Sequence, residues 1–581
     1  MNPGRLIAMS VSIVVTAGAF ALPVAADTAD TASTFVGSIS TCSDNTGSVL
    51  AVDFAGANVA PYGSNDFWGG PVALGCDTRS PAHGINLLTD TGFTTAGDKH
   101  DGPAFICRIG SPLFNDGTPY PTAAQDPCIA TPPATAYWSY WLAPEGANEW
   151  TYSPLGAYSD VPKPGEIEAW TFGGTNIAGT TGHPSFTPQQ VRDQETVSGG
   201  GPGSGDSGGG DSPGAGGTGG GSGSATGASD GSSSSPGGGG TTTSESTTSD
   251  TVKPSGQAGA KRPNVARAVR YLLSTPTANS VEHGTTLAVD GYYESAPKFA
   301  DYGLTIDGAF AIAATHGHTA ALNRIVDFIA GQHKDGSGRS VNTWTEIGTK
   351  YANGGSIGKE ALLAEVVGHN PRRFAGHNLI ASLDTLLCTK HNSTSCVGGA
   401  GSFAYGTSTF DQALAIMAQL RARDSRNVRP AIAYLRHQQH RNGAWPSLIP
   451  STGDSDVDST AMAAMALALA AGKHAARAVK RADAWIVHKQ ERDGGFPGAA
   501  GNSTNSTALA IQALKLSGRK YTKSISRALA FLAAEQNPDG GFNIAAAGRR
   551  GSDVRASTQV VGGIIGTSFG TLHAGPPGNK R

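Results

Sequence analysis

The clearest hydrophobic pattern lies in the C-terminal half of the chain, where two kinds of helical segment alternate. One kind is apolar on nearly every side, as in "STAMAAMALAL" and "STALAIQALKL", and is expected to be buried. The other is amphipathic. In "SISRALAFLAAEQ", for example, Ile525, Leu529 and Leu532 recur at helical spacing while the charged side chains lie elsewhere. The alternation occurs six times and predicts six helical hairpins.

The apolar segments recur at a nearly constant interval. Successive anchor positions are 51, 53, 51, 47 and 51 residues apart, and a period of about 50 residues indicates a repeat architecture. Six buried helices alternating with six half-exposed ones predict two concentric rings. The prediction for 262–581 is therefore an α/α toroid (an α6/α6 barrel), with a central cavity ringed by helix N-termini. The anchors are Thr305, Ser356, Thr409, Thr460, Thr507 and Thr558.

A short motif recurs where the amphipathic helices end: "QHKDGSG", "QHRNGAW", "QERDGGF" and "QNPDGGF". The Gln is expected to satisfy backbone groups of the adjoining helix end, and the Gly permits the turn. The motif resembles the QxxxGxW repeat of the terpene-cyclase and prenyltransferase toroid superfamily, which includes the squalene cyclases. That resemblance implies the toroid fold and leaves the activity open.

The first part of the chain has a different organisation. Residues 1–26 have the pattern of a signal peptide, with Arg5 before a long apolar run and small residues before Asp27. An uncleaved anchor is the alternative; cleavage is favoured and predicts a secreted protein. Residues 35–175 contain short β-type runs and predict a small β domain. Residues 198–261 are almost wholly Gly, Ser, Thr, Asp and Pro, which predicts a flexible linker and two independently moving domains.

The predicted β domain ends in a segment rich in tryptophan. Core aromatics are the favoured interpretation, and an aromatic surface for a glycan or another ligand is the alternative. The segment resembles an uncharacterised domain of secreted bacterial proteins, which implies little about activity. The tryptophans are Trp138, Trp141, Trp150 and Trp170.

The six cysteines agree with export, since an even number in an oxidising compartment predicts disulfides. Cys388 and Cys396 frame the short loop "CTKHNSTSC" and are expected to pair with each other. The sequence leaves the pairing of the other four open. These four are Cys42, Cys76, Cys107 and Cys128.

Net charge narrows the range of partners. The chain has 42 basic and 45 acidic side chains and a formal net charge of −3. This balance provides no electrostatic footprint for nucleic acid or an anionic membrane. After signal cleavage no stretch reaches the ~18 apolar residues of a membrane span. The expected partners are a small molecule in the toroid cavity and a cell-surface uptake partner.

The segment "DVDST" bears most directly on catalysis. It resembles the "DVDDT" form of the DxDD motif of class II terpene cyclases, in which the middle Asp protonates an alkene. The resemblance assigns Asp458 as the acid and Asp456 as its partner, while Ser459 replaces the last Asp. The inner helices "STAMAAMALAL" and "STALAIQALKL" contain no aromatic residue that would stabilise a carbocation. These departures favour a non-catalytic toroid and leave cyclase activity as the alternative.

The inner helices also resemble those of the cobalamin carriers, the intrinsic-factor and transcobalamin family. "VDSTAMAAMALAL" and "NSTNSTALAIQALKLSG" carry this resemblance. It implies capture of a corrinoid, with cobalamin as a bound ligand and no required cofactor. The β domain precedes the toroid here, whereas in the carriers it follows. The implied ligand-binding residues are Asp411, Gln412, Asp458, Thr460, Asn505, Thr507 and Gln512.

Each of these polar residues has a structural alternative. Asp458, Ser459, Asn505, Ser506 and Ser557 lie where helices start and are good N-caps. Asp307 and Asp411, in contrast, lie within apolar helices. A carboxylate there is costly unless it is paired, which indicates a functional cavity.

Two histidines near the end of an amphipathic helix are candidate metal ligands. His437 and His440 have a spacing that suits a metal, but a position in the last helical turn is favoured. The first hypothesis for function is corrinoid capture. The alternatives are an isoprenoid-acting enzyme and a cell-surface scaffold.

Overall fold

The computed structural model describes residues 34–54, 70–132, 136–153, 155–173, 182–196, 262–275, 286–389, 395–450, 454–498, 501–547 and 550–575. The predicted signal segment 1–26 and linker 198–261 lie outside these ranges. Within them, no helix combines the length and the hydropathy needed to cross a membrane.

The N-terminal part contains a mixed β-sheet. Its strands are β1 (Phe35–Val36), β2 (Ser48–Asp53), β3 (Val72–Asp77), β6 (Tyr137–Ala143), β7 (Thr151–Tyr152) and β8 (Ile167–Gly173), in the order β1-β3-β2-β8-β6-β7. The central strand β2 is buried along its whole length, because helices and loops cover both faces of the sheet. The flanking helices are α1 (Gly84–Asp90) and α2 (Pro188–Arg192).

A two-stranded ribbon stands apart from this sheet. It consists of β4 (Thr94–Asp98) and β5 (Gly102–Gly110), which pair antiparallel. The turn between them, residues 99–101, carries His100 and Asp101. This turn reaches the helical part of the chain.

Residues 262–575 are mainly helical. The apolar helices are α5 (Tyr302–Ala314), α8 (Gly354–Val366), α10 (Thr409–Arg421), α12 (Val457–Leu469), α14 (Thr504–Leu516) and α16 (Val554–Ile565). The amphipathic helices are α3 (Val265–Ser274), α6 (Thr319–Ala330), α9 (Leu379–Leu386), α11 (Arg429–His437), α13 (Lys473–His488) and α15 (Thr522–Ala534). Two short helices, α4 (Leu287–Asp290) and α7 (Val341–Thr345), lie between them. Each apolar helix contacts the next, and α16 contacts α5, so the inner helices form a closed ring.

Short strand pairs join the outer helices to the inner ones. They are β9 (Glu294–Ala296) with β10 (Phe299–Ala300), β11 (Trp445–Pro446) with β12 (Ser455–Asp456), and β13 (Phe496–Gly498) with β14 (Gly501–Ser503). The last two pairs lead directly into the N-termini of α12 and α14. They therefore position the first residues of these inner helices.

The Gln residues of the repeated motif connect neighbouring repeats. The Gln490 side-chain nitrogen donates to the backbone oxygens of Gly494 and Ser524, each at 2.9 Å. Gln439 makes the equivalent bonds to Gly443 and Ala478. The predicted role of this Gln, satisfying backbone groups at an adjoining helix, is confirmed at these positions. The aromatic residues that follow, Trp445, Phe496 and Phe542, are fully buried.

The two domains are in contact, so the prediction that they move independently is wrong for this structure. Lys99 Nζ lies 2.7 Å from Glu346 Oε1. His100 Nε2 lies 2.8 Å from Ser356 Oγ. The linker prediction rested on composition, which does not show whether the domain surfaces are complementary.

Three disulfides account for all six cysteines. Cys42 pairs with Cys76, Cys107 with Cys128, and Cys388 with Cys396. The first two are in the N-terminal domain. The third closes the short loop after α9.

Candidate functional site

A cavity of about 760 Å³ lies between the β domain and the open end of the helical ring. The N-terminal ends of the inner helices form its floor, with polar residues Asn353, Ser356, Ser408, Asp411, Asp456, Asp458, Ser503, Asn505 and Ser506. The β domain forms its roof, with aromatic residues Phe105, Tyr137, Trp138, Tyr140, Tyr152 and Trp170. One wall is thus polar and acidic, and the opposite wall is aromatic.

The fourth inner helix, α12, shows how the sequence places its acidic residues. Asp456 is the N-cap, and its Oδ1 accepts a hydrogen bond from the backbone nitrogen of Ser459 at 2.7 Å. The prediction that Asp458 is a cap is therefore wrong. Asp458 lies two residues inside the helix, because the cap is the earlier of the two carboxylates. Its side chain is left to line the cavity.

Asp458 and Asp456 form a pair of buried carboxyl groups. Burial raises the pKa of Asp458 to about 7, and the charge of Asp456 adds to the rise, while a hydrogen bond from Ser506 opposes it. Burial also raises the pKa of Asp456 to about 6. Among the described residues, neither Asp458 Oδ1 nor Asp456 Oδ2 has a hydrogen-bond partner. With a pKa of about 7, a substantial fraction of Asp458 is protonated at neutral pH and can donate its proton into the cavity.

Asp411 is a third acid on the same floor. Its Oδ2 accepts a hydrogen bond from the backbone nitrogen of Ser408 at 3.2 Å, and the two residues form a capping box. Burial raises its pKa. Asn505, at the start of α14, also lines the cavity. Of the residues predicted from sequence, the structure therefore brings Asp411, Asp456, Asp458 and Asn505 together.

Two predicted threonines lie elsewhere. Thr460 Oγ1 accepts from the backbone nitrogen of Trp445 at 3.0 Å and donates to the backbone oxygen of Asp456. Thr507 does the same with Phe496 and Ser503. Both side chains are fully buried. They lie outside the cavity lining and hold the preceding strand against the helix, so their prediction as ligand-binding residues is not supported.

Three further candidates also lie outside the cavity lining. Gln412 donates to the backbone oxygens of Gly401 and Ala431 and joins α10 to its surroundings. Gln512 is buried, and its amide has no partner among the described residues. Asp307 is paired with Lys359, with 2.7 Å between Oδ1 and Nζ. The buried carboxylate of Asp307 is thus explained by an ion pair between neighbouring inner helices.

The two histidines with metal-like spacing are apart from this site. His437 lies in the last turn of α11, as the favoured interpretation predicts. His440 follows the helix, and its Nδ1 lies 2.8 Å from Ser455 Oγ.

The β domain contributes residues that sequence reasoning missed. Trp138 and Trp170 are buried core residues, and each also lines the cavity. His100 lines it as well and contacts a residue 256 positions away. No local pattern signals such a contact. The Trp-rich segment was the available signal, and the favoured interpretation of it as core described only part of its role.

A family comparison bears on the acidic floor. Residues 405–551 match the family model of the squalene-hopene cyclase C-terminal domain. This part of the chain is squalene-cyclase-like. The match includes Asp456 and Asp458 and confirms the resemblance to the terpene-cyclase toroid superfamily. No curated protein matches the chain.

Three solved structures illustrate the likeness to known proteins, each over part of this chain. A protein from Actinoplanes is 18% identical and covers 52% of this chain and 98% of its own, with a TM-score of 0.38. The type II terpene cyclase MstE from Scytonema is 16% identical and covers 52% and 96%, with a TM-score of 0.36. The ent-copalyl diphosphate synthase from Streptomyces platensis is 17% identical and covers 46% and 50%, with a TM-score of 0.33.

The squalene-cyclase-like match overturns the first hypothesis for function. Corrinoid capture by a non-catalytic toroid rested on short inner-helix similarities and on polar residues at the helix ends. Thr460, Thr507, Gln412 and Gln512 lie outside the cavity lining, and the family match favours the cyclase alternative.

Proposed function

We propose that this protein is a terpene-cyclase-type enzyme that protonates a neutral isoprenoid in the cavity between a β domain and a toroid of six helical hairpins. The observation that carries this proposal is the Asp458 carboxyl group. It lines the cavity, has an oxygen without a described partner, and has a pKa raised to about 7, so that it is protonated in part at neutral pH and fully below it. An acid that remains protonated at the working pH is what such chemistry requires.

In the proposed cyclisation, the substrate gains one proton at the start and the final carbocation loses one proton at the end. Asp458 donates its proton to one carbon of a terminal double bond, and the more substituted carbon becomes cationic. The π electrons of the next double bond close a ring and move the charge along the chain. Loss of a proton from a neighbouring carbon ends the reaction. Asp456 assists because its negative charge raises the pKa of Asp458 and attracts the developing cation.

The aromatic residues of the β domain could stabilise a carbocation, which the inner helices near Asp458 lack the side chains to do. The inner helices near the acid lack aromatic side chains, but six aromatic residues of the β domain face the cavity. The negative faces of aromatic rings stabilise a nearby cation. The β domain supports the proposal because it supplies most of the aromatic residues that line the cavity, to which the toroid adds Tyr405.

The charge of the cavity favours a neutral substrate. None of the described residues that line it is Lys or Arg, whereas Asp411, Asp456 and Asp458 are acidic. Among the described lining residues, a diphosphate group would meet His100 as the one basic side chain, beside three acidic ones. We therefore favour a neutral polyprene or prenyl alcohol over a prenyl diphosphate.

The test uses the full chain with squalene, geranylgeraniol and geranylgeranyl diphosphate as separate substrates in D₂O buffer. A cyclic product from a neutral substrate, carrying one added deuterium, is expected by mass spectrometry. Asp458→Asn should remove at least about 99% of the activity, in line with the usual contribution of an acid catalyst. Asp327→Asn, an exposed change on the outer helix α6, is the control. Absence of product, or full activity in Asp458→Asn, would refute the proposal.

We also propose that the protein is exported and that residues 1–26 are removed on the way. Three disulfides support this proposal, because such bonds persist in oxidising compartments. N-terminal sequencing of the secreted protein should begin at Asp27.

A further inference from the structure

At the edge of the cavity floor, three side chains form a chain of hydrogen bonds across the domain boundary. Asp101 Oδ1 lies 2.9 Å from His100 Nδ1, and His100 Nε2 lies 2.8 Å from Ser356 Oγ. Both distances fall within the range for a nucleophile, its base and the group that orients the base. Ser356 and His100 both line the cavity.

The surroundings hold each member in place. The Asp101 Oδ2 accepts a hydrogen bond from Thr131 Oγ1 at 2.7 Å, which fixes the carboxylate. The Trp344 ring lies 5.4 Å from the His100 ring and restricts its orientation. Because a carboxylate only accepts, His100 Nδ1 carries the hydrogen. Burial opposes the charged form of His100, but the nearby carboxylates, Asp101 above all, raise its pKa. When the ring is neutral, Nε2 accepts from the Ser356 hydroxyl, which also lies within 3.3 Å of Asn353 Oδ1 as an alternative acceptor. This is the arrangement in which a histidine removes a proton from serine.

Ser356 lies in the first turn of α8, a helix of 13 residues. The partial positive charge at this end of the helix favours negative charge on an atom bound to Ser356. The side chain is 7% exposed, and it is exposed toward the cavity. Ser356 therefore combines a base within hydrogen-bond distance with access to a bound molecule.

We propose that Ser356 and His100 are catalytic residues, and Asp101 a positioning residue, of a site that hydrolyses esters with an apolar acyl group. Ser356 Oγ attacks the ester carbonyl carbon while its proton moves to His100 Nε2. The bond to the alcohol oxygen breaks, and His100 returns the proton to that oxygen. Water then attacks the acyl carbon and loses a proton to His100 Nε2. The bond between this carbon and Ser356 Oγ breaks, His100 returns the proton to Oγ, and the carboxylic acid is released. The aromatic roof accommodates the apolar acyl chain.

This activity goes beyond the proposed cyclisation and does not require Asp458. The first test exposes the full chain to an alkyl fluorophosphonate and locates the modified residue by peptide mass spectrometry. Phosphonylation of Ser356 is expected, with hydrolysis of p-nitrophenyl butyrate that the reagent inhibits. His100→Gln should slow both by about a hundredfold or more, and Asp101→Asn should also slow them. Ser382→Ala, on the outer helix α9, should change neither.

A second variant keeps the proposal testable if loss of Ser356 disturbs the domain contact. All six native cysteines are in disulfides, so Ser356→Cys introduces a single free thiol. A neighbouring imidazole lowers a thiol pKa and speeds its alkylation. Iodoacetamide should react at least tenfold faster with Ser356→Cys than with Ser356→Cys/His100→Gln. Lack of phosphonylation at Ser356, or equal rates with and without His100, would overturn the proposal.

Discussion

The side chain of Gln536 joins the last outer helix to the first. Its Nε2 donates to the backbone oxygen of Asn264 at 3.0 Å, and its Oε1 accepts from the backbone nitrogen of Asn264 at 2.7 Å. Asn264 is the N-cap of α3, 272 residues earlier in the chain. Together with the contact between α16 and α5, this pair of hydrogen bonds closes the ring.

Gln536→Ala should therefore destabilise the whole ring rather than one repeat. It removes the two bonds to Asn264 and a third to the backbone oxygen of Gly540. At about 1 kcal/mol for each bond, we expect a loss of about 2–3 kcal/mol in the free energy of unfolding. Urea denaturation measures it. Gln332→Ala is the matched control, because Gln332 occupies the same motif position but is exposed; an equal loss there would contradict this explanation.

Cyclisation should depend on the protonation of Asp458. Its pKa of about 7 predicts a rate that is constant below about pH 6 and falls above about pH 7. Asp456→Asn should move this fall to lower pH, because the negative charge of Asp456 raises the pKa of Asp458. Asn is also a good N-cap, so the helix start is retained. A profile of kcat/KM from pH 5 to 9 measures the shift, and a shift in the opposite direction would argue against Asp458 as the acid.

Phe105 should influence which product is formed. It is half-buried and lines the cavity roof, so Phe105→Leu removes a π face with little loss of packing. We expect a larger share of products with fewer rings, because the cation loses its proton earlier. Chromatographic product ratios measure this share. Phe35→Leu, in the same domain but outside the cavity lining, should leave the ratios unchanged.

Glu360 should lower stability as pH rises. It is fully buried in α8, its oxygens have no partner among the described residues, and burial raises its pKa to about 8. The pKa of Glu360 in the unfolded chain is 4.5. Between pH 4.5 and pH 8, the folded protein therefore binds one proton more than the unfolded chain. The contribution of this proton to the free energy of unfolding is fully present below about pH 4.5 and is lost as the pH rises toward 8.

Glu360→Gln removes this titration. Relative to the variant, the native protein should lose about 2–4 kcal/mol between pH 5 and pH 8. Denaturation at the two pH values measures the difference. Glu491→Gln, at an exposed position, controls for general effects of charge. Parallel pH profiles for native protein and Glu360→Gln would show that Glu360 is ionised in the fold.

Local signals in the sequence predicted the helical part well. The interval of about 50 residues, the apolar and amphipathic segments, and the Gln motif each depend on residues within one or two repeats. Gln439 and Gln490 make the expected contacts for that reason. At the acidic site, the same reasoning selected Asp456 and Asp458. It misjudged which of them caps α12, because a cap depends on where the preceding strand β12 ends.

The sequence by itself determined the repeat, the helix types and the presence of acidic residues at the inner helix ends, because each is encoded over short distances along the chain. Only the tertiary structure decided that the β domain covers the ring, that its aromatic residues line the same cavity as Asp458, and that His100 contacts Ser356. These relationships arise from contacts between residues hundreds of positions apart. Such contacts depend on the shapes of two folded surfaces, and the periodicity of the sequence does not predict them.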